Sequence, residues 1–276
     1  MGGDNLLIFG GSGQLGRHLS QILDCKILTS KDLDFKRTND IKQILESEKP
    51  SVVINCAAFT NVDLAESKRE DCFLINLKAV EFISDLARKS RFYFVHISTD
   101  YVFDGETGDY QEHSPVNPLN FYGLTKAWSE KMIDTSHHLV IRTSYLFSDF
   151  KPNIIKFFCD KVLDRASFSV VGDQLVSITY AKDLAQFINL AVSERLNGIY
   201  HFSNLGALSW DNLVEVIQEY FKVKASYEIV EFESFVRPAR RPKKSYFNLE
   251  KLLKIYPVRD WRVALDDYLF NNYGHN

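Results

Sequence analysis

Apolar residues fall along this chain in short unbroken runs, and between the runs they recur every three or four positions. Runs of the first kind predict buried strands and recurrences of the second predict amphipathic helices. Strands are expected at 5–9, 26–28, 51–55, 92–97 and 138–142, with 198–202 returning to the same sheet. Helices are expected between and after them, at 18–23, 40–49, 69–89, 152–163, 180–192 and 208–221. Val52, Val53 and Ile54 leave the third strand no polar face, the pattern of a parallel strand covered on both sides. Pro50 stops the helix before it, because proline cannot continue the hydrogen-bond ladder. The fold class that follows is α/β, a doubly wound parallel sheet of Rossmann type with a smaller C-terminal α/β lobe. Residues 1–147 are expected to form the sheet domain, with 178–203 returning to it, and 148–177 with 204–276 the second lobe. No repeat or linker separates the two, so they should share a crevice.

Chemistry-bearing residues gather where the predicted strands end. Gly10-Gly11-Ser12-Gly13-Gln14-Leu15-Gly16 stands between the first strand and a helix, the context of a dinucleotide fingerprint. Glycines let the backbone approach a diphosphate, whose charge then lies at a helix N-terminus. The second strand ends in Thr29-Ser30-Lys31 rather than in an acid that would hold a 2′-hydroxyl. That leans toward NADPH, with NADH still possible because Asp32 and Asp34 lie close by. Small residues after the third strand, Cys56-Ala57-Ala58, leave room for something flat, and Ser98-Thr99-Asp100 and Thr143-Ser144-Tyr145 close the fourth and fifth. In an open parallel sheet these strand ends line one crevice.

Tyr122 and Lys126 follow, four residues apart and so on one face if 121 onward is helical. A fixed cation beside a tyrosine favours the phenolate, which predicts a lowered Tyr122 pKa and an acid/base role, and Thr99 can hold a substrate oxygen between them.

Composition narrows the field. The chain has 276 residues, 45% hydrophobic and 25% charged, with a net charge of −3, which gives no field to gather nucleic acid or anionic lipid. Four scattered cysteines lack metal or disulfide spacing, and the histidines, His96 within a strand and His137-His138 before one, form no ligand pair, so no metal is expected. No run approaches a membrane span of roughly 20 apolar residues and the first strand begins almost at once, so a cytoplasmic chain without a signal peptide is expected.

The glycine turn, the Thr99, Tyr122 and Lys126 set and the alternating pattern resemble an extended short-chain dehydrogenase/reductase. Within that group the likeness is to the dTDP-4-dehydrorhamnose reductase family. It is carried by NCAAFTNVDLAES (55–67), HISTDYVFDG (96–105), PLNFYGLTK (118–126), RTSYLF (142–147) and PARRP with its following Ser245. The resemblance implies an NAD(P)H-dependent reduction of a nucleotide-linked 4-keto-6-deoxy sugar. Tyr122 would be the general acid, Lys126 would hold the nicotinamide ribose, and Thr99 would bond the sugar carbonyl. Gly13, Gln14, Leu15, Asp34, Phe35, Ala58 and Thr60 would line the cofactor, with Asp100 and Tyr145 on the substrate side. Tyr145 stands where the family usually has Trp, Ser129 where it commonly has Gly, and 173–179 lacks the family's Gly and Pro. An epimerase or dehydratase on the same scaffold, or a regulatory NADP-binding subunit like that of methionine adenosyltransferase, are the competing readings. Oligomeric state is open, a homodimer included.

One motif remains. Arg237, Arg240, Arg241, Lys243 and Lys244 crowd into eight residues with Pro238 and Pro242. Arginine forks engage phosphate oxygens two at a time, so Arg240 or Arg241 is expected to grip the substrate's diphosphate.

Overall fold

The computed structural model describes residues 5–150 and 152–274. Its centre is a six-stranded, all-parallel sheet of β1 (Leu6–Phe9), β2 (Cys25–Leu28), β3 (Val52–Asn55), β4 (Tyr93–Thr99), β5 (Leu139–Thr143) and β6 (Gly198–Phe202). The spatial order is β6-β5-β4-β3-β1-β2. The chain runs outward from β1 to β2, then crosses back to β3 on the other side of β1. That reversal is the switch point where a parallel sheet opens a crevice.

Helices cover both faces, as the apolar third strand requires. On one face lie α1 (Gln14–Ile22) and α2 (Ala181–Ser193), packed on Ile8, Ile54, Val95 and Ile141. On the other lie α3 (Thr38–Glu48) and α4 (Ala79–Ser90), packed on Leu7, Phe9, Val53, Phe94 and Val140. The alternation of inward residues along each strand divides the core in this way.

The single helix expected over 69–89 is interrupted. Arg69–Phe73 is α-helical, Leu74–Lys78 is a π turn, and α4 follows. A short helix at Val62–Ser67, capped by Asn61, precedes it. Ser209 stands at the N-cap of the helix Trp210–Phe221 without a side-chain bond to it.

A second core lies beyond the C-terminal ends of the strands. The helices Ile154–Leu163, Trp210–Phe221 and Trp261–Tyr273 enclose Phe158, Val162, Leu213, Trp261 and Leu265, with the paired strands Phe168–Val171 and Tyr227–Val230 at one side. Two-residue parallel ladders, Leu146–Phe147 with Thr179–Tyr180 and Leu175–Val176 with Lys244–Ser245, tie this core to the sheet. No helix among the described residues is long and apolar enough to cross a membrane.

Candidate active site

The glycine turn begins with Gly10 at φ +80°, where a Cβ would lie 2.6 Å from the Ala57 nitrogen. Only glycine fits that left-handed, crowded position. The chain can therefore turn from β1 into α1, whose N-cap is Gly13 and whose first turn carries no acid. Unsatisfied amides at that end suit an anion.

A cleft of about 830 Å³ opens over this turn. It is lined by Gly10, Gly13, Gln14 and Leu15, by Ser30, Asp34 and Phe35 beyond β2, and by Ala57, Ala58 and Thr60 after β3. Its far end is lined by Thr99, Asp100, Tyr122, Lys126 and Tyr145. The segments singled out at the strand ends thus share one space. Gln14 donates from Nε2 to the Leu146 carbonyl at 3.2 Å, while its Oε1 is buried without a protein partner. A buried acceptor left open in this way fits a ligand that brings a donor.

The helix that carries Tyr122 and Lys126, α5 (Phe121–Lys131), starts at Asn120, whose Oδ1 accepts the Gly123 amide at 2.8 Å. Its far half is fixed by Glu130, buried against Arg142 of β5 with Nη2 to Oε2 at 2.7 Å. Ser98 donates to the same carboxylate, and Arg142 reaches on to the Glu112 carbonyl. A buried pair with its remaining donors satisfied holds orientation, and loss of one partner costs about 3–5 kcal/mol.

Tyr122 differs from the expectation drawn from spacing. Its hydroxyl lies within bonding reach of Thr99, but burial, the dominant influence, raises its pKa above the ordinary value, and Asp100 and Tyr101 add to the rise. The cation that was to lower it is engaged elsewhere. Lys126 Nζ donates to the Ile97 carbonyl at 2.6 Å and lies 2.9 Å from His96 Nε2. Burial lowers the Lys126 pKa to about 8, with Glu130 opposing. Asp100 is also buried, which pushes its carboxyl up to about 7 against the donation it receives from Ser245 and Thr99.

The wall of the cleft at Tyr145 is aromatic. Tyr145 takes a left-handed backbone at φ +34°, and its hydroxyl lies 3.2 Å from that of Tyr101. Trp210 packs edge-on to Tyr145 at 4.8 Å and donates to Gln174, whose amide nitrogen donates to the Pro242 carbonyl and faces the Tyr145 hydroxyl.

Arg240 and Arg241 do not line the cleft. Arg240 is exposed, while Arg241 is turned to Asp63, with Nη2 to Oδ2 at 2.7 Å, and donates to the Ala239 carbonyl. Its charge is within reach of Tyr101 and Tyr145.

Two supporting residues escaped the sequence reading. Asn76, in the π turn, accepts from the Phe59 amide at 2.8 Å and donates toward Thr125 of α5, clamping the cleft wall to the helix. Asn76 stands among apolar neighbours on a predicted helix, and that polar exception was the available signal. His96 is fully buried between Asn55 and Lys126 rather than idle within its strand.

A switch-point crevice with a glycine turn at one end and a half-buried tyrosine with a buried threonine and lysine at the other defines a dinucleotide-dependent oxidoreductase. The chain belongs, more narrowly, to the family described as RmlD substrate binding domain, whose model matches residues 4–273. It is 31% identical to a dTDP-4-dehydrorhamnose reductase of Aggregatibacter actinomycetemcomitans, over 94% of this chain and 96% of that one. It is likewise 31% identical to the spore coat polysaccharide biosynthesis protein SpsK of Bacillus subtilis, covering 96% of each. The crystal structure of a Bacillus anthracis dTDP-4-dehydrorhamnose reductase in complex with NADP superposes with a TM-score of 0.92 at 32% identity, over 97% of this chain and 99% of that one.

Proposed function

We propose that this protein reduces the 4-keto group of a nucleotide-linked 6-deoxy sugar, dTDP-4-dehydrorhamnose, with NADPH. The observation that carries the reading is the meeting of Thr99, Tyr122 and Lys126 in the same cleft as the glycine turn. The cleft suits a dinucleotide: Gly10 leaves no room for a Cβ, the α1 terminus has open amides, and Gln14 offers a buried acceptor.

Gly10, Gly13, Gln14 and Leu15 would take the diphosphate, Ser30, Asp34 and Phe35 the adenosine end, and Ala57, Ala58 and Thr60 one wall. When bound, the reduced nicotinamide supplies a hydride to the sugar carbonyl carbon. Thr99 and Tyr122 meet the carbonyl oxygen. As negative charge grows there, Tyr122 delivers its proton, and Thr99 stabilises the oxygen by turning to it the hydrogen bond that it gives Asp100 in the empty cleft. The raised Tyr122 pKa serves this role, because a proton donor must arrive protonated. Lys126, one helical turn on, would hold the nicotinamide ribose. The second core and the wall of Tyr101, Tyr145 and Gln174 would form the substrate lobe, with Asp100 beside it.

A panel of dTDP-, UDP- and GDP-linked 4-keto-6-deoxy sugars, assayed for NADPH and NADH oxidation, tests the reading. The expected result is fastest turnover of dTDP-4-dehydrorhamnose with NADPH preferred, and absence of turnover with every sugar returns the protein to a binding role.

A further inference from the structure

His96 lies under Lys126, and its hydrogen bonds can be assigned from the geometry. Asn55 Oδ1 accepts the Ala57 amide at 3.0 Å, which fixes the side-chain amide with its nitrogen toward His96. Asn55 Nδ2 then faces His96 Nδ1 at 3.2 Å, so Nδ1 is an acceptor. A neutral imidazole with an accepting Nδ1 carries its proton on Nε2. Burial and Lys126 hold the His96 pKa well below its ordinary value, so the ring is neutral.

That Nε2–H points at Lys126 Nζ, 2.9 Å away. An ammonium has only donors, so Lys126 in its charged form would set donor against donor. As the amine it accepts from His96 and donates to the Ile97 carbonyl, which removes the clash of donors. Ser129 Oγ, 3.3 Å from the same Nε2, donates its own proton to the Lys126 carbonyl, which leaves it a weaker second acceptor. Reversing the ring tautomer moves the conflict to Asn55.

We propose that His96 is a positioning residue for Lys126: in the empty cleft it favours the uncharged amine and holds it against β4, and the lysine is handed over, taking a proton from solvent, when cofactor hydroxyls arrive as acceptors. This rests on the reductase reading only for the identity of the cofactor. The other titratable groups facing Lys126 are Cys56 after β3, Cys72 of the helix Arg69–Phe73, and Glu130 on α5 itself. Cys56 and Cys72 are held protonated by burial, and Glu130 is tied to Arg142. None of these offers an ammonium at Lys126 the acceptor that the protonated Nε2 of His96 withholds.

The sign follows by linkage. Lys126 in the free protein loses its charge as pH rises through about 8. In the complex, acceptors hold the ammonium to higher pH, so cofactor binding takes up a proton above that point and weakens as pH rises further.

Two measurements on the full chain test this. Ring-nitrogen NMR of histidine-labelled wild type at pH 9, where Lys126 is the amine, should show His96 neutral with its proton on Nε2; a proton on Nδ1, or an imidazolium, at that pH overturns the proposal. Calorimetry of NADP+ binding at pH 8.5, in buffers of different ionisation heat, should show uptake of roughly 0.7 proton. His96→Gln, whose amide oxygen can accept from an ammonium, should cut that uptake at least threefold and move the alkaline limb of kcat/KM upward. Equal proton uptake in the two proteins, with affinity lowered at every pH, would mean that His96 only packs. Should the variant fail to fold, the wild-type tautomer and proton count still decide. Failure of wild type to bind NADP+ at all would instead sink the reductase reading, which keeps the two outcomes apart.

Discussion

At the scale of single residues, the cleft shifts the titration of two groups in opposite directions, and both shifts come from desolvation. Tyr122 is kept as a phenol and Lys126 is drawn toward its amine. The pair is therefore poor at storing a phenolate and well suited to presenting a proton to an oxygen that becomes basic during reduction. Tyr122→Phe keeps the ring and removes only that proton. It should lower kcat by roughly 10²–10⁴-fold while NADPH affinity, measured by fluorescence titration, stays within a factor of about two. A loss under tenfold would place the proton donor elsewhere.

The element that places these residues is α5, and its position depends on an absent side chain. A Cβ on Gly123 would lie 2.1 Å from the Tyr101 carbonyl oxygen. In an isolated helix alanine would be worth about 1 kcal/mol more than glycine. Here the contact overrides that preference, because helix and strand end must move apart. Gly123→Ala should lower Tm and reduce kcat by roughly tenfold or more, since a shift of about an ångström can cost 10²-fold. A variant as stable and active as wild type would show that α5 tolerates the shift. The strands and longer helices were legible in sequence because burial on one or two faces leaves a period. Leu74–Lys78 was not, since its π turn involves the buried side chain of Asn76, whose partners at Phe59 and Thr125 are distant in sequence. The ladders Leu146–Phe147 with Thr179–Tyr180 and Leu175–Val176 with Lys244–Ser245 were invisible for another reason: two residues are too few to show alternation. Tyr122, Lys126 and Thr99 were legible as residues of one cleft, whereas the Tyr122 shift and the contacts of His96 needed the depth of burial.

At the scale of the whole molecule, the basic segment 237–244 joins the two cores instead of waving in solvent. Asn120 Nδ2 donates to the Arg240 carbonyl at 2.8 Å, the Ala239 amide donates to Asp63, and the Lys244 amide donates to the Gly105 carbonyl. Arg241 completes the seam by its two-point contact with Asp63. This contact competes with the proposal that Arg240 or Arg241 grips the substrate diphosphate, and paired variants separate the two roles. If Arg241 only fastens the loop, Asp63→Ala and Arg241→Ala remove the same interaction and should alter KM and Tm alike. If Arg241 also meets phosphate, Asp63→Ala frees it and should leave KM for the nucleotide sugar near wild type, while Arg241→Ala raises it. A charge-assisted bond is worth about 1.5–3 kcal/mol, so the rise should be roughly 10- to 150-fold, with NADPH affinity unchanged because the cofactor end of the cleft is untouched. Arg240, already exposed, should give a smaller rise on replacement by alanine. Matching effects of Asp63→Ala and Arg241→Ala, with Arg240→Ala silent, would leave the segment a structural seam and send the search for the phosphate ligand elsewhere along the second core.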